Sequence, residues 1–164
     1  MANDPTRLRI LKAVTAALQE ITPANGYEHD LSTSVFRGRA TFGYSDPLPM
    51  VSILEDVNEA AQRDTARPNA VQHGPWTLLI QGFCEDDKDH PTDPAHRLMA
   101  DVKRRLVEER VRDSFKILGM GDTVTDLKLS HGVVRPPEDG VSDKAYFWLR
   151  MTLEVVENTV DPYA

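Results

Sequence analysis

The chain is expected to fold as one α+β domain: a mixed or antiparallel sheet of about four to five strands, with two main helices packed on one face. Three observations carry this expectation. Residues 145–156 alternate without a break, with Ala145, Phe147, Leu149, Met151, Leu153 and Val155 on one side and Tyr146, Trp148, Arg150, Thr152 and Glu154 on the other. That period of two defines a strand. Residues 76–85 are apolar on both sides, Trp76, Leu78 and Ile80 opposing Leu79 and Phe83, which places this strand inside the sheet. Ala95, Leu98, Met99, Val102 and Leu106 recur at helical spacing and make one apolar stripe. Strands joined by short turns, with the helices apart from them in sequence, put the helices on one side.

The elements follow in order. Asp4-Pro5 supplies a favoured N-cap and first helical residue, and Leu11, Val14, Leu18 and Ile21 continue a helix over 5–21. Pro23 and Asn25-Gly26 stop it. Residues 31–42 form a strand, with Gly38 at a bulge or close approach. Residues 50–54 (MVSIL) form a short core strand. Residues 55–75 are irregular, an arm or long loop, and stretches of that length are often functional. After the strand at 76–85 comes an acidic loop, 85–93. Asp93-Pro94 then repeats the cap pairing and opens the striped helix. Val111, Phe115 and Leu118 extend it or add a short second helix, ended by Gly119 and Gly121. Residues 124–134 form a strand, 135–142 a turn with two prolines, and 145–156 the last strand.

Length and composition narrow the function. A chain of 164 residues fits one domain, which buries roughly 70% of its unfolded surface without a disulfide or metal. The lone Cys84 forms no internal disulfide. No apolar run approaches the ~20 residues of a membrane span, and the charged N-terminus lacks a signal core, so the chain is expected to stay in the cytosol that makes it. A net charge of −7 argues against a grip on nucleic acid, which needs clustered Lys and Arg.

Several groups of residues invite chemistry. Cys84, Asp86, Asp87, Asp89, His90, Asp93 and His96 lie close in sequence and suggest a metal. Their spacing matches neither a standard zinc pattern nor an EF-hand, and acids also suit a helix N-terminus without any ion. Cys84 near a histidine suggests a nucleophile, but at the end of a buried strand it also reads as a small core residue. The Gly119–Gly121 stretch follows a helix instead of opening one, the reverse of a phosphate loop. Arg37 and Arg39, with Arg7 and Arg9 as possible neighbours, form a small basic patch that either meets nucleic acid or pairs with acids of the same chain or of a neighbour. Tyr146, Trp148 and Arg150 are interface-type residues on one strand face, covered by a partner or by residues 55–75.

The element order has a further implication. An N-terminal helix leads to Val35-Phe36-Arg37-Gly38. A proline-led strand follows, Leu48-Pro49-Met50-Val51-Ser52-Ile53-Leu54-Glu55, then a strand, the acidic loop, a helix containing Ala95-His96-Arg97-Leu98-Met99-Ala100-Asp101-Val102, and two closing strands. Over nearly the whole chain this resembles the tail terminator, or tail completion, proteins of long-tailed bacteriophages. The resemblance implies a non-enzymatic virion subunit without cofactor. It would assemble as a homohexamer ring on the tail tube, end tube polymerisation and present a surface to the head-completion or connector protein. DNA would slide through without specific binding. The expected place is the virion tail, reached from the host cytoplasm during assembly. The expected assembly surface comprises Arg37, Arg39, Glu85, Asp86, Asp87, Asp89, Tyr146, Trp148 and Arg150. Other readings are a head–tail connector or minor tail protein, a small metal-dependent hydrolase using Asp86, Asp87, His90 and His96, and an adaptor that binds a cellular partner through Tyr146–Arg150.

Overall fold

The computed structural model describes residues 3–57 and 70–164. In chain order the elements are α1 (Thr6–Gln19), β1 (Val35–Arg37), β2 (Met50–Glu55), β3 (Val71–Cys84), α2 (Asp93–Arg112), β4 (Val124–Leu129), β5 (Val133–Arg135) and β6 (Ala145–Asn158), with short 3-10 turns at Pro23–Asn25, Ile117–Gly119 and Gly121–Thr123. They form one six-stranded mixed sheet in the order β1-β2-β3-β6-β4, with β5 also on β6. The fold is α+β.

The sheet is organised by its two longest strands. β3 and β6 pair antiparallel from Val71 opposite Asn158 to Cys84 opposite Ala145. Their side chains alternate between two faces, as strand geometry requires. One face carries Trp76, Leu78, Ile80 and Cys84 of β3 beside Phe147, Leu149, Met151 and Leu153 of β6, all buried in the main core. Ile10, Val14 and Leu18 of α1 and Leu98, Val102 and Leu106 of α2 cover this face and are fully buried. Helices α1 and α2 therefore lie on one side.

One position in the ladder is set by sterics. Gly82 stands opposite Phe147, and a Cβ there would lie 2.1 Å from the Phe147 ring. The glycine leaves room for the largest fully buried side chain, the close approach for which a strand glycine is used.

The sheet has six strands where four to five were expected, because 124–134 splits in two. Gly132, at φ 79°, turns the chain between β4 and β5. Ser130 bridges the break, donating its N–H to the Arg150 carbonyl at 2.9 Å and accepting the Arg150 N–H on its hydroxyl at 3.0 Å. The strand expected over 31–42 contracts to Val35–Arg37, parallel to β2. Beyond it the chain leaves the edge and crosses the face opposite α1 and α2. Residues 71–75, expected to be irregular, already belong to β3, whose pairing with β6 continues past the reach of β2. The rest of the expected arm, 58–69, lies outside the described residues.

The helix ends also differ from expectation. Neither Asp4 nor Asp93 caps its helix through its side chain. Asp4 pairs with Lys12 at 2.5 Å, and Asp93 sits inside the first turn of α2. The helical pattern over 111–118 fails because the Asp113 carboxylate accepts the Phe115 N–H at 3.0 Å. This local turn competes with the helix, which stops at Arg112. Phe115 then points outward, while Ile117 and Leu118 return to the core.

A buried charge network joins the helices. Arg105, 4% exposed, donates to Glu20 and to the equally buried Glu109, each at 2.6 Å. Arg112 reaches Glu109 from outside at 3.1 Å. Nearby, Tyr27 donates to Glu108 at 2.5 Å. Burial, with that hydrogen bond second, pushes its phenol up to about 12.

Two outcomes are expected. Gly82→Ala should cost about 1–3 kcal/mol in denaturant unfolding, and adding Phe147→Leu should recover part of the loss. Arg105→Ala should cost about 3 kcal/mol because it leaves Glu109 buried beside a single exposed partner. An Arg105→Met, Glu109→Leu pair should cost much less.

Candidate assembly surface

The face of the sheet opposite α1 and α2 is built from the alternate residues of the same strands. Met50, Ser52 and Leu54 of β2, Leu79, Gln81 and Phe83 of β3, and Tyr146, Trp148 and Arg150 of β6 share it, as the strand registers dictate. The expected grouping of Tyr146, Trp148 and Arg150 therefore holds. The face is half-covered: Tyr146 is buried, whereas Leu79, Phe83 and Trp148 are partly exposed.

What covers it is the segment between β1 and β2. Phe42 packs on Phe83 with ring centroids 4.8 Å apart. The aromatic row continues from Phe83 to Tyr146 at 6.1 Å and to Trp148 at 5.9 Å. Arg39 lies over both Phe36 and Phe42, at 4.7 and 5.1 Å from the ring centroids, and pairs with Asp46 at 2.9 Å. Ser52 ties the segment down by donating its hydroxyl proton to the Arg39 carbonyl at 2.7 Å. At the other end Arg150 pairs with the buried Asp56 carboxylate at 2.7 Å. The basic residues of this face thus find their acids within the chain.

Arg37 and Arg39 do not form one patch. Arg37 reaches Thr15 of α1 at 3.3 Å, because Gly38, at φ 71°, turns the chain between them. Arg7 and Arg9 serve the C-terminal tail. Arg7 pairs with Glu157 at 3.2 Å and lies 5.1 Å over Trp76, and Arg9 donates to the carbonyl of Ala164. The sequence pattern does not mark Phe36 and Phe42 as members of the same surface as Phe83 and Tyr146. Phe36 alternates with the core residue Val35, a usable signal, but nothing local shows that Phe42 folds back over the sheet.

The acidic loop is an exposed turn. Asp87 accepts backbone N–H bonds from Asp89 at 2.9 Å and His90 at 2.7 Å. The His90 N–H, with that of Asp89 second, holds its carboxyl below the usual carboxylate range. Glu85 meets Lys144 at 3.2 Å. Asp86 and Asp89 are exposed. Among the described residues no three His, Cys, Asp or Glu side chains gather to hold a metal. Cys84 is buried in the core cluster. Burial, then the charges of Glu85 and Asp86, push its thiol up to about 11, the reverse of what a nucleophilic cysteine needs. His29 is bound to Asp101 at 2.7 Å, on the helix side of the molecule.

Where the covering segment meets the end of the ladder, it leaves a cleft of about 470 Å³ lined by residues that include Phe42, Tyr44, Leu48, Met50, Phe83 and Val141. Three distant stretches of sequence build it, so no local pattern announces it. This face offers contact chemistry: aromatic rings, a hollow with both apolar and charged lining, and charges held in fixed pairs. No protein-family model matches the chain, and no curated protein matches it. Among the described residues, no helix is long and apolar enough to cross a membrane.

The Asp87 turn should hold above the ordinary carboxylate pKa and loosen as pH falls through the lowered value. The Asp89 and His90 amide shifts should report that step in an NMR titration, and Asp87→Ala should abolish it. Cys84 should resist a thiol reagent at pH 8 in the native protein and react in full after unfolding.

Proposed function

We propose that the chain is the subunit of a ring at the end of a phage tail tube, where it stops tube polymerisation and presents the surface that joins the head. The observation that carries this reading is the sheet face opposite α1 and α2, whose aromatic row, partly exposed at Phe83 and Trp148, ends at a cleft lined by both apolar and charged residues. Among the described residues α1 and α2 pack on the opposite side, and this face and its cleft are partly exposed, which suits contact with partners. Rows of Tyr, Trp and Arg of this kind concentrate binding energy in protein contacts. The proposed partners are further copies of the chain, a hexamer by the resemblance described above, with the tail tube protein below and a head-completion or connector protein above.

Electrostatics supports the same reading. The chain carries a net charge of −7, and Arg39 and Arg150 on the face opposite α1 and α2 are already paired. The exposed acids Glu85, Asp86 and Asp89 would repel a phosphate backbone, so a ring lined by them lets DNA slide without sticking. The reading places the protein in the host cytoplasm during assembly and in the virion tail afterwards.

The test is direct. The purified chain, alone or with tube protein, should give rings with a central hole in negative-stain images and should cap tubes at a fixed length. A protein that stays monomeric and leaves tube growth unchanged in the presence of tube protein refutes the proposal. Replacing Asp86 and Asp89 by Asn should leave the fold intact and slow or block DNA passage through assembled particles.

A further inference from the structure

The segment between β1 and β2 is shaped by its own contacts. Gly38 anchors one end, donating its N–H to the Ile53 carbonyl at 2.9 Å. Met50 anchors the other, where it enters β2 opposite Phe83. Between them, among the described residues, the one backbone–backbone hydrogen bond of residues 39–49 runs from the Asp46 N–H to the Gly43 carbonyl at 3.1 Å, inside the segment. The polar side chains bond inward as well. Asp46 takes Arg39 on both carboxylate oxygens, at 2.9 and 3.0 Å, and accepts the Gly43 N–H at 2.7 Å. Arg39 lies over Phe42 of the same segment. All of these contacts would travel with the segment, so they hold its shape and not its position.

Its ties to the sheet are few. Ser52 donates its hydroxyl proton to the Arg39 carbonyl, Arg39 lies over Phe36 of β1, and Phe42 rests on Phe83. Farther along, the cleft of about 470 Å³ opens between Tyr44 and Leu48 of the segment and Phe83 and Val141 beyond it, so the cover there is not packed to the density of a core. Where it does lie on the sheet it shields fully. Met50 is 2% exposed and Ser52 0%, although both face away from α1 and α2. A stretch with internal order and few ties opens locally at less cost than global unfolding.

We propose that residues 39–49 form a hinged cover that lifts from the sheet as one body and exposes Met50, Ser52 and Phe83. The sheet stays folded beneath it, because the pairing of β3 with β6 and the main core include no residue of the segment. The device regulates the contact face. Closed, the aromatic row ends under Phe42. Open, it runs on through Phe83 to its strand partner Met50. This deepens the ring reading and rests on it only for what the face contacts.

Thiol labelling of the whole chain tests it. Ser52→Cys and Met50→Cys each place a thiol under the cover. Cys84, buried in the core, is the internal reference, and mass spectrometry resolves the two thiols. Met50→Cys keeps the Ser52 hydroxyl, so it reports with that tie intact. Circular dichroism should show the native fold in both variants. Each introduced thiol should label at least about tenfold faster than Cys84, at a rate that low urea barely changes, whereas Cys84 labels through global unfolding and speeds up with urea. Adding Phe42→Ala should speed labelling under the cover by about tenfold, since it removes the ring contact with Phe83. Introduced thiols that label no faster than Cys84 and with the same urea dependence overturn the proposal, and so does Phe42→Ala without effect. A chain whose cover opens in this way yet never caps tubes keeps the cover and refutes the ring reading. A chain that caps tubes while the introduced thiols stay as protected as Cys84 overturns the cover and leaves the ring reading standing.

Discussion

The structure depends on one constraint, the pairing of β3 with β6 in a single register. The alternation of β6 decides which side is core, so a slip by one residue would turn Phe147 and Leu149 to the face opposite α1 and α2. Gly82 opposite Phe147 fixes the choice at one position, because either neighbour brought there by a one-residue slip, Gln81 or Phe83, would carry a Cβ into the ring. Once the ladder is set, the rest follows. The helices cover the Phe147 side, the Arg39 segment crosses the Tyr146 side, and the shorter strands fill the edges.

Much of this was legible in the sequence. The last strand and the stripe of α2 show their periods openly, since each buries one face and leaves the other wet. The parts that were not legible share one feature: a local hydrogen bond or turn outweighs the pattern. Asp113 ends α2 although Phe115 and Leu118 continue its spacing. Gly132 divides a strand whose apolar residues run on through Val133. Gly38 cuts short a run that contains two phenylalanines. The candidate surface shows the same division. Tyr146, Trp148 and Arg150 were visible together because they share a strand. Arg37 and Arg39 were grouped by nearness in sequence, and one glycine sends them to opposite sides of the sheet. The cleft has no sequence signature, since it exists only where three separate stretches meet.

The edges of the sheet have their own logic. β1 is three residues long, and the opposite edge is broken between β4 and β5. Short or interrupted edges resist pairing with strands of another molecule. In the proposed ring, association would accordingly run through side chains instead of backbone hydrogen bonds. The ion network of Arg105, Glu20 and Glu109 holds α1 against α2, so the exposed end of α2 is presented on a firm base. The fold keeps its edges quiet and offers its side chains instead.

The long ladder also governs how the chain reaches this state. Every pair between β3 and β6 joins residues on either side of the whole stretch 85–144. None of these pairs can form until that stretch has closed into a loop, and the entropy lost in closing it precedes any gain from pairing. The helices are local and can form early, but they have no apolar face to rest on until the ladder exists. This is a topology of high contact order, for which folding times of roughly milliseconds to seconds are usual. The rate-limiting event would be the first meeting of two segments far apart in the chain, with Phe147 finding the space beside Gly82.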